Sequence, residues 1–199
     1  VANLGGYTED FASIPLTEHG KEQAAAVARQ WSAAPDLIVV SPFTRTRQTA
    51  QPTMDRFPQV PVEYWPVQEF ANVAAAVWRG TVHETRGPAM EAWWQRLDAE
   101  YRDGEGAETF SEFMQRVAGV VERLRRLPQK RVLLFTHGYF LQGMRLHLLD
   151  VAGTDIENIV RFRPFDKEYP VRNCAMVTIE LNEENVGVVP ENLLVAGYA

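Results

Sequence analysis

Apolar residues along the chain recur at two spacings, and the change from one to the other marks the elements. Ala24, Val27, Ala28 and Trp31 fall on one face of a helix predicted to begin at Thr17, whose hydroxyl suits an N-cap, and to close at Pro35-Asp36. Leu37-Ile38-Val39-Val40 is an unbroken apolar run, as expected of a strand covered on both faces. Ser41-Pro42 follows directly. A serine can accept from first-turn amides and proline suits the first helical position, so a second helix is expected to start there and to carry Thr44, Arg45, Arg47, Gln48 and Thr49. Val60, Val62 and Tyr64 alternate with polar or proline positions and predict a more exposed strand ending near Trp65-Pro66, with Glu69 in the loop beyond it.

From Phe70 to Ala107 the periodicity loosens into an insertion with one expected helix, on which Met90, Trp93, Trp94, Leu97 and Tyr101 share a face. Excursions of this length often cover active sites. Thr109-Phe110-Ser111-Glu112 matches a capping box, and Phe113, Val117, Val120, Val121, Leu124 and Leu127 continue as the buried stripe of a long helix. Val132-Leu133-Leu134-Phe135 reads as another strand, which ends at His137-Gly138 and leads into a helix through Leu141, Met144, Leu148 and Leu149; Cys174 to Leu181 supplies a further strand. Alternation of this kind predicts a three-layer α/β/α architecture with a mainly parallel central sheet. It is read as one domain over residues 1–199, with the helical insertion 70–107 as a candidate cap over the site.

Composition narrows the functional classes. A chain of 199 residues, 46% hydrophobic and 23% charged, matches a single globular domain with a proper core, and no apolar run is long enough for a transmembrane helix. A net charge of -6 argues against nonspecific binding to nucleic acid, which needs a dominant basic surface, but leaves open a small anion pocket built from a few cations. Cys174 is the only cysteine, which excludes an intrachain disulfide and a cysteine-based zinc site and agrees with a reducing, cytoplasmic setting.

In an open α/β sheet, ligands bind beyond the carboxyl ends of the strands, where helix N-termini direct free amides outward. Arg45 and His137 each follow a buried strand at such an end, and the two can converge on one phosphate if their strands are neighbours. Each also has an ordinary reading: an arginine opening a helix is usually solvated or ion-paired, a histidine at a strand end can serve as a cap, and a loop glutamate such as Glu69 is commonly solvated. His19, His83 and His147 have no motif around them and are read as surface or packing residues, as is the Trp93-Trp94 pair.

The segment from Ser41 to Ala50 resembles the arginine-bearing motif of the histidine phosphatases, in the phosphoglycerate-mutase-like superfamily, and by that match Arg45 rather than Arg47 clamps phosphate. Phe135-Thr136-His137-Gly138 resembles the family's second histidine motif, Glu69-Phe70 its proton-donor segment, and Asn173-Cys174 the lead-in to its last strand. Ile14 to Gly20 is similar to the stretch downstream of its Arg-His-Gly nucleophile motif. Val1-Ala2-Asn3 then matches the tail of that motif, with Asn3 as a phosphate-contacting residue and the nucleophilic histidine expected four residues before Val1. The resemblance implies phosphoryl transfer to that histidine and hydrolysis of the phosphohistidine, with neither metal nor other cofactor. Glu69 would protonate the leaving alkoxide, and Arg45 and His137 would hold a small phosphorylated substrate. A phosphoglycerate mutase shares this core, but Glu69 is followed here by Phe70-Ala71-Asn72 rather than an Arg-His-Tyr-Gly-like run; Arg79, Arg86 and Arg96 keep that alternative open. A noncatalytic phosphate-binding or scaffolding protein is the reading if Val1 is the true start. An oligomer is compatible with all three.

Overall fold

The computed structural model describes residues 10–149, 155–181 and 186–189; of the side chains of residues 83, 84 and 186–189 nothing is described. Strand β1 (Leu37–Val40) is the middle of a parallel three-stranded sheet, flanked by β2 (Val62–Tyr64) and β3 (Val132–Phe135). Registry places Val40 opposite both Tyr64 and Phe135, so the three strands end level with one another. All four residues of β1 are buried, and their alternation divides two cores. Leu37 and Val39 face a large cluster containing Phe113, Val117, Phe140 and Met144, whereas Ile38 and Val40 pack with Ala50, Met54, Val60 and Phe135. A sheet with apolar residues on both faces needs cover on both, which explains the unbroken run in the sequence.

One cover comes from α1 (Glu18–Gln30) and α2 (Thr44–Arg56), which pack against each other. Thr17 caps α1 as expected, its hydroxyl accepting from the Gly20 amide at 3.1 Å. The start of α2 differs from expectation: Phe43 is the N-cap, without a side-chain cap bond, and the helix begins at Thr44. Ser41 is drawn elsewhere, as described below.

The opposite cover consists of α5 (Phe110–Arg125), α6 (Gly138–Leu148) and α7 (Asp155–Glu168). The capping box of α5 is complete, with the Thr109 hydroxyl accepting from Glu112 N and the Glu112 carboxylate from Thr109 N. Gly143 of α6 lies so close to α5 that an added Cβ would meet Phe113 and Val117 at 3.0 Å. No apolar spacing announced α7, which contains Pro164 and leaves Ile156 and Val160 exposed.

The insertion holds two helices rather than one, α3 (Ala75–Trp78) and α4 (His83–Gln95). Trp93 and Trp94 are buried as expected, with Trp94 stacked on Phe162 of α7 and Phe70 stacked on Phe113 of α5. Leu97 leaves the shared face: the helix ends at Gln95, and Leu97 has φ 51° and is exposed. The C-terminal strand β4 (Thr178–Leu181) starts later than Cys174, which itself has φ 58°, and pairs antiparallel with β5 (Val186–Val189). Among the described residues no helix is long and apolar enough to cross a membrane.

Candidate active site

Because β1, β2 and β3 end level, the loops that leave them share one edge of the sheet. The Ser41 amide donates to Phe135 O at 3.0 Å and the Trp65 amide to Val40 O at 3.2 Å, which continues the ladder one residue past each strand end. Arg45 follows β1, Glu69 follows β2 and His137 follows β3. Three residues distant in sequence are thereby delivered to one place.

His137 is the N-cap of α6 and is buried. Its Nε2 lies 2.8 Å from Ser41 Oγ and 2.9 Å from Thr46 Oγ1, and the Phe43 ring meets it edge-on at 5.2 Å. Burial first, then the positive charges of Arg45 and Arg116, depress the imidazole pKa to about 2. The ring is therefore neutral in these surroundings. A charged His137 needs an anion beside it, since the charges of Arg45 and Arg116 oppose protonation.

Arg45 opens α2 and projects over the same ground. One Nη1 N–H donates to Phe11 O at 2.9 Å, and the guanidinium lies 4.7 Å from the Phe11 ring centre and 4.9 Å from that of Phe43. Partial burial lowers its pKa while the charge of Glu69 opposes that shift, so the two groups are close enough to influence each other. The segment that receives Arg45 is itself fastened to α2, through Thr44 N to Ala12 O at 2.9 Å and Leu16 N to Gln48 Oε1 at 2.7 Å. Arg47 is turned outward, exposed and beside Tyr64.

Glu69 meets the N-terminus of α6. Its Oε1 accepts from Tyr139 N at 2.9 Å and from Phe70 N at 3.2 Å, and Oε2 would lie 3.8 Å from a Cβ placed on Gly138. Burial raises the carboxyl pKa, while Arg45 and the amides of Phe70, Tyr139 and Phe140 pull in the opposite direction without prevailing. A carboxyl that retains its proton above the ordinary range, beside a guanidinium and a neutral imidazole, is equipped to donate that proton near an anion.

Asn3 lies outside the described residues. His19 is exposed beside Glu22, and His147 is partly buried near Arg125, away from this cluster. Sequence reasoning missed Ser41 and Thr46 as partners of His137, and Phe11 and Phe43 as the aromatic support of Arg45. A serine after a buried strand fits a helix cap equally well, so no local signal separated the two uses. A shallow hollow lined by Asp36, Pro128, Gln129 and Lys130 lies at the amino ends of β1 and β3, the opposite edge of the sheet.

A family model described as the histidine phosphatase superfamily (branch 1) matches residues 2–192. The chain belongs to that superfamily. Its fold is that of solved histidine phosphatases: α-ribazole phosphatase from Shigella flexneri superposes with a TM-score of 0.70 at 21% identity, covering 92% of this chain and 87% of the other. Phosphoserine phosphatase from Entamoeba histolytica gives 0.66 at 18%, covering 96% and 91%. Among curated proteins, mannitol-1-phosphatase of Eimeria tenella is 37% identical over 76 residues, 35% of this chain and 24% of that protein, so the match spans about a quarter of that relative's length. The family assignment makes the edge that holds Arg45, Glu69 and His137 the candidate active site.

Proposed function

We propose that this histidine phosphatase hydrolyses a small organic phosphate monoester without a metal, through a phosphohistidine intermediate. The observation that carries the reading is the meeting of Arg45, Glu69 and His137 beyond three level strand ends. Arg45 has five N–H donors in a planar fork and uses one on Phe11 O, which leaves others for two phosphoryl oxygens. His137 faces the same oxygens; a phosphate dianion would raise its pKa against burial and so turn an acceptor nitrogen into a donor. Glu69, protonated more readily than an ordinary carboxyl, gives its proton to the departing alkoxide. The carboxylate left behind takes a proton from the water that attacks the phosphohistidine. In this reading the nucleophile is the histidine expected upstream of Val1, with Asn3 near the phosphoryl group. Residues 70–107 act as the cap of a single domain and select the alcohol.

One observation favours hydrolysis over a mutase reaction: Arg86 is engaged within the insertion, donating to Thr81 O at 2.8 Å with its guanidinium 4.5 Å from the Trp78 ring centre, which withdraws it as an anchor for a second acidic group. Arg79 and Arg96 are exposed, Arg96 over the Tyr101 ring at 4.2 Å. The test is release of inorganic phosphate from a panel of alkyl and aryl phosphates by the full protein in excess EDTA. Turnover that survives chelation supports the reading. Loss of turnover on chelation points to a metal mechanism, and phosphate binding without turnover points to a noncatalytic phosphate receptor.

A further inference from the structure

Glu69 occupies a loop, and a proton donor displaced by about an ångström can lose roughly a hundredfold in rate, so something must hold that loop. The carbonyls that precede Glu69 are all engaged by side chains. Arg116, on α5, donates from Nη1 to Pro66 O and to Gln68 O, each at 3.0 Å. Between them, Val67 O accepts from the Thr136 hydroxyl at 2.6 Å, one residue before His137. Beyond Glu69, Ala71 O accepts from the Glu108 amide at 2.8 Å. Arg116 is in turn fixed by a two-point pair with Glu108, Nε to Oε1 at 2.8 Å and Nη2 to Oε2 at 2.7 Å, with side-chain exposures of 12% and 19%. Its guanidinium also lies over the rings of Phe113 and Phe140.

We propose that Arg116, oriented by Glu108, is a positioning residue that sets Glu69 against the leaving group, an inference that rests on reading Glu69 as the proton donor. A planar fork suits this role, because two N–H groups meet one carboxylate while Nη1 reaches two carbonyls two residues apart. A lysine has neither the geometry nor enough directed donors to reproduce it. Glu69 is then held at both ends, its backbone by α5 and its carboxyl by the first turn of α6.

The decisive comparison uses two substrates on one protein preparation. An alkyl phosphate such as glycerol 1-phosphate needs its leaving oxygen protonated, whereas 2,4-dinitrophenyl phosphate releases a stable phenolate without help. Arg116→Met is expected to lower kcat/KM, which reports only the steps up to departure of the leaving group, on glycerol 1-phosphate by about 10- to 100-fold while changing kcat/KM on the dinitrophenyl ester less than about threefold. The ratio of the two rates does not depend on how much of the sample is folded, so partial unfolding cannot imitate the effect. Should that variant yield no folded protein, Arg116→Lys, which keeps the charge, is expected to show the same selectivity. In a Glu69→Gln background Arg116→Met should add little to the alkyl defect. Equal losses on both substrates, or full additivity with Glu69→Gln, would overturn the proposal. If Glu69→Gln is itself unselective, the reading of Glu69 fails, which is a separate outcome.

Discussion

Replacing Glu69 by glutamine should make the protein slower and, at neutral pH, relatively more stable. The glutamine oxygen can keep the bonds from Tyr139 N and Phe70 N, so the geometry at the start of α6 is retained. What disappears is a transferable proton. A positioned general acid is worth roughly 10²- to 10⁴-fold, so kcat/KM on an alkyl phosphate, which reports the steps up to departure of the leaving group, should fall by about that factor, equivalent to about 3–5 kcal/mol of barrier, with little change in kcat/KM on a dinitrophenyl ester. The alkaline limb of the parent's pH profile should also vanish, because the parent loses its acid form as pH rises through the raised pKa. Stability moves the other way. The folded state holds this proton more tightly than the unfolded chain, so its contribution is fully present below the ordinary carboxylate range and lost as pH rises through the folded value. Glutamine has no such loss. Urea midpoints measured for both proteins at about pH 4 and about pH 8 should therefore shift in favour of the variant at the higher pH. A difference that is flat or falling with pH would refute the raised carboxyl, and equal losses of kcat/KM on both esters would refute its role as proton donor.

Arg45→Ala should lower kcat/KM by about a hundredfold or more, since it removes the fork meeting charge in the transition state, and steady-state kinetics with unchanged values would exclude it as the clamp. His137 should stay neutral by ring ¹³C and ¹⁵N shifts down to about pH 4 in the free protein and become protonated when vanadate binds; titration near its ordinary value in the free protein would contradict the buried, cation-flanked site. The unfolded chain takes up a proton at this residue that the folded state refuses, so His137→Gln should reduce the loss of stability as pH falls below about 6.5, read from urea midpoints. Gly143→Ala sets a helix-propensity gain of about 1 kcal/mol against overpacking of about 1–3 kcal/mol, because the new methyl meets Phe113 and Val117 at 3.0 Å. Overpacking should win by about 1 kcal/mol and lower Tm by about 3 °C in a thermal scan, and a raised Tm would show that the α5–α6 contact gives way freely.

Spacing alone located the ends of β1 and β3, the capped start of α5 and the Thr17 cap, because a strand buried on both faces and a complete capping box leave marks within a few residues. The same local logic placed Arg45 and His137 at strand ends, and motif resemblance added Glu69. Only the registry of three parallel strands brought those residues to one edge, since pairing between β1, β2 and β3 joins segments separated by long stretches of chain. Tertiary packing also decided what local pattern could not: Ser41 partners a histidine rather than capping a helix, Leu97 turns away from the face it shares on a helical wheel, and α7 forms around Phe162 despite its weak apolar spacing and Pro164. Hydrogen-bonding side chains and aromatic rings accept several local uses of similar free energy. Which use prevails depends on the partner that the distant chain delivers.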